Sequence, residues 1–216
     1  TDVGGHDLLQ ALSDMDYVTQ QGLSGAIYTL LAFDCRGYDI PAAGKTAAQT
    51  SHDGLVKYIL DRQLKDGGWA YSGDKAEPDM TAMALQALAA YYKTDAKVKD
   101  AVDKSVTCLS KLQNTTGGYD SYGSVNSESA AQVITALTAL GIDPDNDARF
   151  VKNGVSVLDS LCGFYVDGGF RHVSDGKLDP TATAQGYYAL AAYYRFADSQ
   201  TALYDMTDLN TVEKAA

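Results

Sequence analysis

Three stretches of the chain carry alanine and leucine in nearly every register: Glu77 to Leu88, Asn126 to Leu137 and Asp179 to Leu190. A fourth, Thr19 to Leu30, fits the same frame. Alanine is the strongest helix former, so each predicts a helix. A helix apolar almost all round has to be buried on most sides. The starts are marked. Asn126 and Asp179 can accept hydrogen bonds from free backbone N–H groups, and Pro78 and Pro180 suit a first helical turn. Acidic residues at these starts also suit the positive end of the helix dipole. Between the apolar stretches lie amphipathic ones. Val98, Val102, Leu109 and Leu112 form one stripe, with Lys97, Asp100 and Lys104 off it. Phe150, Val151, Val155, Leu158 and Leu161 form a second, and Leu55, Ile59 and Leu60 a third. Spacings of three and four predict helices here too, of about 11 to 18 residues each.

Each amphipathic stretch runs into a glycine pair followed by an aromatic residue: Asp66-Gly67-Gly68-Trp69, Thr116-Gly117-Gly118-Tyr119 and Asp167-Gly168-Gly169-Phe170. These loops recur at about 50-residue intervals, the mark of a repeat architecture. Gln63 and Gln113 stand four residues before the first glycine of their loops, and Phe164 takes that place in the third copy. Each repeat therefore holds one amphipathic and one apolar helix. A ring with the apolar helices inside buries both kinds; an open solenoid of stacked pairs is the competing arrangement.

The segment Gln63 to Trp69 resembles the repeat motif of squalene cyclases and protein prenyltransferase β-subunits; Gln113 to Tyr119 repeats it, and Asp167 to Phe170 is a partial copy. The likeness covers residues 20 to 195. It implies an all-α fold, an α/α toroid of helix hairpins, formed by residues 1–216 as a single domain. Four apolar helices, where a full toroid has more, predict a ring incomplete on its N-terminal side. Segments such as Asp79-Met80-Thr81-Ala82-Met83-Ala84-Leu85-Gln86 and Asn126-Ser127-Glu128-Ser129-Ala130-Ala131-Gln132-Val133 are similar in texture to Clostridia-type cell-surface proteins that carry this repeat. That resemblance implies a secreted or cell-surface location and further domains in the full-length protein, with Tyr204 to Asp208 ending the helical part.

Charge narrows the partners. The net charge is −11 and no run of Lys and Arg offsets it. Nucleic acid is therefore not an expected partner, since binding it takes a basic surface. No stretch approaches the length of a membrane span, so direct membrane insertion is not expected. The chain opens on Thr1 without a signal-peptide pattern, which reads as a processed chain or a cut fragment. Cys35, Cys108 and Cys162 are too few for a disulfide framework, and each sits among apolar residues as a small buried hydrophobe would.

The chemistry of the resembling enzymes is missing. No Asp-x-Asp-Asp acid cluster is present, and Asp14-Met15-Asp16 lacks the final pair. Asp143-Pro144-Asp145-Asn146-Asp147 follows Gly141 in a loop and reads as a solvated turn. As a calcium loop it would have Ala148 at the sixth position and Gly154 at the twelfth. Thr81 stands where a zinc-binding prenyltransferase has cysteine, and His6, His52 and His172 have no metal-ligand spacing. No metal and no cofactor is expected. Leu161-Cys162-Gly163 does not continue as a thioester motif, and no serine-nucleophile arrangement occurs.

One polar stripe crosses the apolar helices. Positions spaced i, i+4, i+7 share a helical face. They read Gln21, Gly25, Tyr28; Asp79, Met83, Gln86; Glu128, Gln132, Thr135; and Thr181, Gln185, Tyr188. In a ring this face would line the central cavity, with the helix starts at its mouth. The expected binding residues are Gln21, Tyr28, Asp79, Gln86, Glu128, Gln132, Gln185 and Tyr188. The bland alternative is polar pairing within a crowded core. The resulting expectation is a non-catalytic module binding a small molecule, a glycan or a protein partner, a cobalamin-like ligand among them by analogy with carriers of the same fold. Two alternatives stand beside it: an enzyme using Asp79 and Glu128 as acid and base, and a structural spacer or adhesion domain. Trp69, Tyr119 and Phe170 either pack their loops or offer stacking surfaces to a flat ligand.

Overall fold

The structure is a computed structural model and describes residues 2–45, 47–205 and 207–208. Thr1, Thr46, Met206 (within the stretch expected to end the helical part) and residues 209–216 lie outside the described residues. The chain is helix-rich, 48% helical, with small antiparallel hairpins between the helices. The helices are α1 Met15–Thr19, α2 Gly22–Asp34, α3 His52–Leu60, α4 Pro78–Leu88, α5 Ala96–Leu112, α6 Ser127–Ala139, α7 Val157–Cys162 and α8 Pro180–Ala197.

The apolar series is α2, α4, α6 and α8. Each packs on the next, α2 on α4, α4 on α6 and α6 on α8. The amphipathic series lies against it, α3 on α2, α5 on α4 and α7 on α6. The expected starts hold. Asn126 accepts from the Ser129 N–H at 2.9 Å and Asp179 from the Ala182 N–H at 2.8 Å, and Pro78 and Pro180 open their helices. The stripes of α3 and α5 face inward: Leu55, Ile59, Val98 and Leu109 are fully buried.

The all-α expectation gives way at four two-stranded hairpins: β1 Asp2–Val3 with β2 His6–Asp7, β3 Asp120–Ser121 with β4 Ser124–Val125, β5 Val151–Lys152 with β6 Val155–Ser156, and β7 Tyr165–Val166 with β8 Gly169–Phe170. The third replaces half of an expected helix. Val151 and Val155 fit a helical stripe, but Asn153 and Gly154 between them take φ of 51° and 81°. Two successive left-handed residues make the tight turn that Asn-Gly favours, and the chain doubles back. Only Val157 to Cys162 is left as helix, started by a capping box in which Ser156 and Asp159 exchange hydrogen bonds. Two of the three thiols depart from the expected burial. Cys108 is buried, its thiol pKa pushed up to about 11 by burial, Cys35 is half-buried, and Cys162 is exposed.

The Gly-Gly-aromatic loops are structural pins. Trp69, Tyr119 and Phe170 are buried to within 1% of complete, which removes them as stacking surfaces for a ligand. The Trp69 indole N–H donates to the Ile59 carbonyl at 2.8 Å, and the Trp69 backbone N–H to the Thr81 hydroxyl at 2.9 Å. Thr183 repeats that role for Phe170, accepting from its N–H at 3.0 Å. The motif glutamine explains itself in the same way. Gln63 donates to the carbonyls of Gly67 and Ala101, both at 2.8 Å, and Gln113 to those of Gly117 at 2.9 Å and Phe150 at 2.8 Å. One amide therefore holds its own loop and ties it to the amphipathic segment of the next repeat. Close approach requires the glycines: a Cβ on Gly117 would lie 2.6 Å from the Ser156 carbonyl oxygen, at a φ of 77°.

Candidate functional site

Half of the expected polar stripe meets in one layer across α4, α6 and α8. The Gln86 amide donates to the Gln132 carbonyl at 3.1 Å and to its side-chain oxygen at 2.9 Å. Gln132 in turn donates to the Gln185 side-chain oxygen at 3.2 Å and to the Tyr188 hydroxyl at 2.5 Å. Tyr188 closes the chain by donating to Gln185 at 3.3 Å. Gln86 and Gln132 are buried, and partners of their own kind supply what water otherwise would. Burial, followed by the nearby Tyr204, Tyr28 and Asp79, raises the Tyr188 pKa far above that of a free phenol.

The other half is elsewhere. Asp79, in the first turn of α4, accepts from the Ser121 hydroxyl at 2.9 Å, and its second oxygen is buried without a partner among the described residues. Glu128, in the first turn of α6, accepts from Ser127 at 3.0 Å and contacts His172 Nδ1 at 2.8 Å. Ser121 and His172 both belong to the loop that follows the next repeat's glycine pair. Each acid thus ties a helix start to its neighbour, and neither bonds the other or the amide layer. Gln21 and Tyr28 are exposed and line a separate open hollow of about 420 Å³ beside α1 and α2, with Tyr17, Val18 and Ser24.

A more sheltered space lies at the other end of the helices. A cavity of about 400 Å³ opens between the C-terminal ends of α2, α4 and α6. Leu31, Ala87, Ala139 and Leu203 give it apolar walls, and Gln86 joins it to the amide layer. The segment Ala202 to Asp205 covers one side. That segment is stapled to α8 by Arg195, which donates to the Thr201 carbonyl at 2.9 Å, to the Thr201 hydroxyl at 2.7 Å and to Asp208 at 2.6 Å. A larger hollow, about 650 Å³, runs between α3 and α5, but Asp53, Lys57, Asp61, Asp95 and Lys97 line it with solvated charge of both signs.

Asp34, the last residue of α2, stands in the cavity wall. Its carboxylate accepts from the Tyr91 hydroxyl at 2.9 and 3.1 Å and lies 3.2 Å from His52 Nε2. Burial raises its pKa, and the contacts with Tyr91 and His52 only partly oppose that. An acid at the C-terminal end of a helix also faces the negative end of the dipole. This group escaped the sequence reading, which looked to helix starts. The available signal was an isolated acid ending an otherwise apolar helix.

Among the described residues no group of three or more His, Cys, Asp or Glu side chains is placed to hold a metal ion. Asp143 of the acidic loop accepts from the backbone N–H groups of Asp145 and Asn146, so it serves its own turn. Among the described residues no helix is long and apolar enough to cross a membrane. No protein-family model matches the chain, and neither does any curated protein.

Proposed function

We propose that this chain is a non-catalytic binding module of the α/α-toroid type, secreted or held at the cell surface, that takes a small molecule between the C-terminal ends of its apolar helices. The cavity there carries the proposal. Small-molecule sites are typically concave, apolar in their walls, a few hundred Å³ in volume and furnished with few polar groups. The space bounded by Leu31, Ala87, Ala139 and Leu203, with Gln86 and Asp34 in its wall, has that make-up. Curvature of the helix series is supported by Tyr28 and Tyr188, on the first and last apolar helices, since Tyr28 lies close enough to affect the ionisation of Tyr188. The cell-surface assignment rests on the resemblance of the repeats alone. The expected site moves from the helix starts to the helix ends, because the amides of the stripe bond one another.

The test is a thermal-shift screen of cobalamins, glycans, lipids and small amphipathic molecules, run on the native chain and on Ala90→Trp, which places a bulky ring in the cavity wall. A ligand that binds only the native state raises the melting temperature by mass action. Shifts seen with the native chain and lost in Ala90→Trp support the reading. No shift with any compound refutes it and leaves a structural spacer. Metal-dependent products from isoprenoid diphosphates or squalene would refute the non-catalytic part.

A further inference from the structure

We infer that the ligand of this cavity is an organic cation, an ammonium group on an apolar body. The inference rests on the cavity being a binding site and goes on to name the chemistry it selects. The polar groups in its wall are acceptors. Asp34 is anchored by Tyr91 and His52, and its two carboxylate oxygens, with about four acceptor sites between them, retain accepting capacity in a residue that lines the cavity. Gln86 is 5% exposed and spends its amide protons on Gln132; its amide oxygen has no donor among the described residues. Asp205 receives the N–H and hydroxyl of Thr207 on one oxygen, and the other oxygen has no donor among the described residues. Thr135 has committed its hydroxyl proton to the Ala131 carbonyl at 2.9 Å and can only accept. Tyr204 alone in the described lining keeps a hydroxyl that can turn either way.

No Lys, Arg or His stands among the described residues of the wall; the base that touches Asp34, His52, does so from outside that lining. Burial raises the Asp34 pKa, and a cation placed beside it would oppose that shift as His52 already does in part. An ammonium group supplies three donors and a positive charge together. The same wall repels carboxylates and phosphates. The apolar residues accept the ligand's hydrocarbon part, and the volume suits a body of drug-fragment size.

Isothermal calorimetry with a matched series decides the matter: 4-phenylbutylamine, 4-phenylbutanol and 4-phenylbutyrate, at 0.15 M salt so that the chain's overall negative charge is screened. The amine is expected to bind about tenfold tighter than the alcohol or better, as hydrogen bonds to a charged partner allow, and the carboxylate not at all. Asp34→Asn should bring the amine down to the level of the alcohol and leave the alcohol unchanged. Asp205→Asn should do the same in part, and it carries the test if Asp34→Asn fails to fold. Asp74→Asn, an exposed acid outside the cavity, should change nothing. Amine and alcohol binding equally, both lost in Ala90→Trp, would overturn the cation inference and leave the cavity reading standing. Amine preference unaffected by Asp34→Asn and Asp205→Asn would also overturn it. Binding by none of the three compounds would overturn it, and the thermal-shift screen would then judge the cavity separately.

Discussion

The glutamine ties between repeats give the sharpest quantitative test, because two copies of one motif differ in their backing. Gln113→Leu removes hydrogen bonds of 2.9 and 2.8 Å to the carbonyls of Gly117 and Phe150. The glutamine is buried, and no other side chain reaches these two oxygens among the described residues. Losing two bonds and stranding two acceptors costs about 3 to 5 kcal/mol. Burying leucine, and removing a side-chain oxygen that had no partner, returns about 1 to 2 kcal/mol. The net expectation is a loss of about 2 to 3 kcal/mol. Gln63→Leu removes the equivalent bonds, but the single Ser105 hydroxyl proton can serve the Gly67 carbonyl at 2.6 Å, and the Ala101 carbonyl lies inside α5, where it accepts the helical bond. Nothing is stranded, and the loss should be about 1 kcal/mol. Urea denaturation followed by far-UV circular dichroism measures both, with the slope on denaturant expected to stay constant. The double variant Gln63→Leu/Ser105→Ala should exceed the sum of its single changes by about 1 kcal/mol, since the two side chains share acceptors. If Gln63→Leu costs as much as Gln113→Leu, or if the pair is additive, the account of the motif as a repeat-to-repeat tie is wrong.

Two further outcomes follow from the same geometry. Gly117→Ala meets the Ser156 carbonyl and a positive φ together and should cost about 3 kcal/mol or more, whereas Gly123→Ala, with a φ of 86° but open space around it, should cost about 1 kcal/mol; equal losses in urea denaturation would discard the close-approach argument. The second concerns alkaline pH. Burial holds the hydroxyls of Tyr91, Tyr119 and Tyr188 protonated well above 10.0, the value of a free tyrosine. Folded pKa values raised above unfolded ones give stability that is complete below pH 10.0 and is lost as pH rises towards the folded values. With Tyr119 and Tyr188 counted and the half-exposed Tyr91 discounted for solvent screening, the slope should reach about 3 kcal/mol per pH unit. Absorbance at the tyrosinate band should then show these residues ionising only together with loss of helix; ionisation of every tyrosine in a still-helical chain would refute it.

The repeat was legible because local chemistry repeats with it. Proline at a first turn, an Asx cap and a glycine pair before an aromatic residue each act within a few residues, and sequence records such interactions directly. The hairpins were hidden by degeneracy. Val151 and Val155 suit a helical stripe as well as they suit two strands, and only Asn153-Gly154 between them distinguishes the cases. The polar stripe was legible as a face, but not its outcome. Four residues of it, Gln86, Gln132, Gln185 and Tyr188, bond one another, while Asp79 and Glu128 are drawn to Ser121 and His172 on loops more than forty residues away. The cavity was illegible for a different reason. A void is made by atoms that are missing, at Ala87 and Ala139, and it is covered on one side by Ala202 to Asp205, a segment remote in sequence from α2, α4 and α6.

The third copy of the motif shows how a departure from pattern can carry structural information. Phe164 replaces the glutamine, and it is buried where Gln63 and Gln113 reach across to the next repeat. The glutamine has two jobs, holding its loop and donating to a carbonyl of the following amphipathic segment. After α8 no such segment occurs among the described residues. A glutamine at position 164 would keep one acceptor and lack the other, leaving a buried amide half satisfied at a cost of about 1 to 3 kcal/mol. Phenylalanine needs no partner. The loop is held by other means: Arg171 donates to the Gly163 carbonyl at 3.1 Å, and the Arg171 backbone N–H to the Phe164 carbonyl at 3.1 Å. Phenylalanine at this copy therefore fits the absence, among the described residues, of a following amphipathic segment for a glutamine to reach.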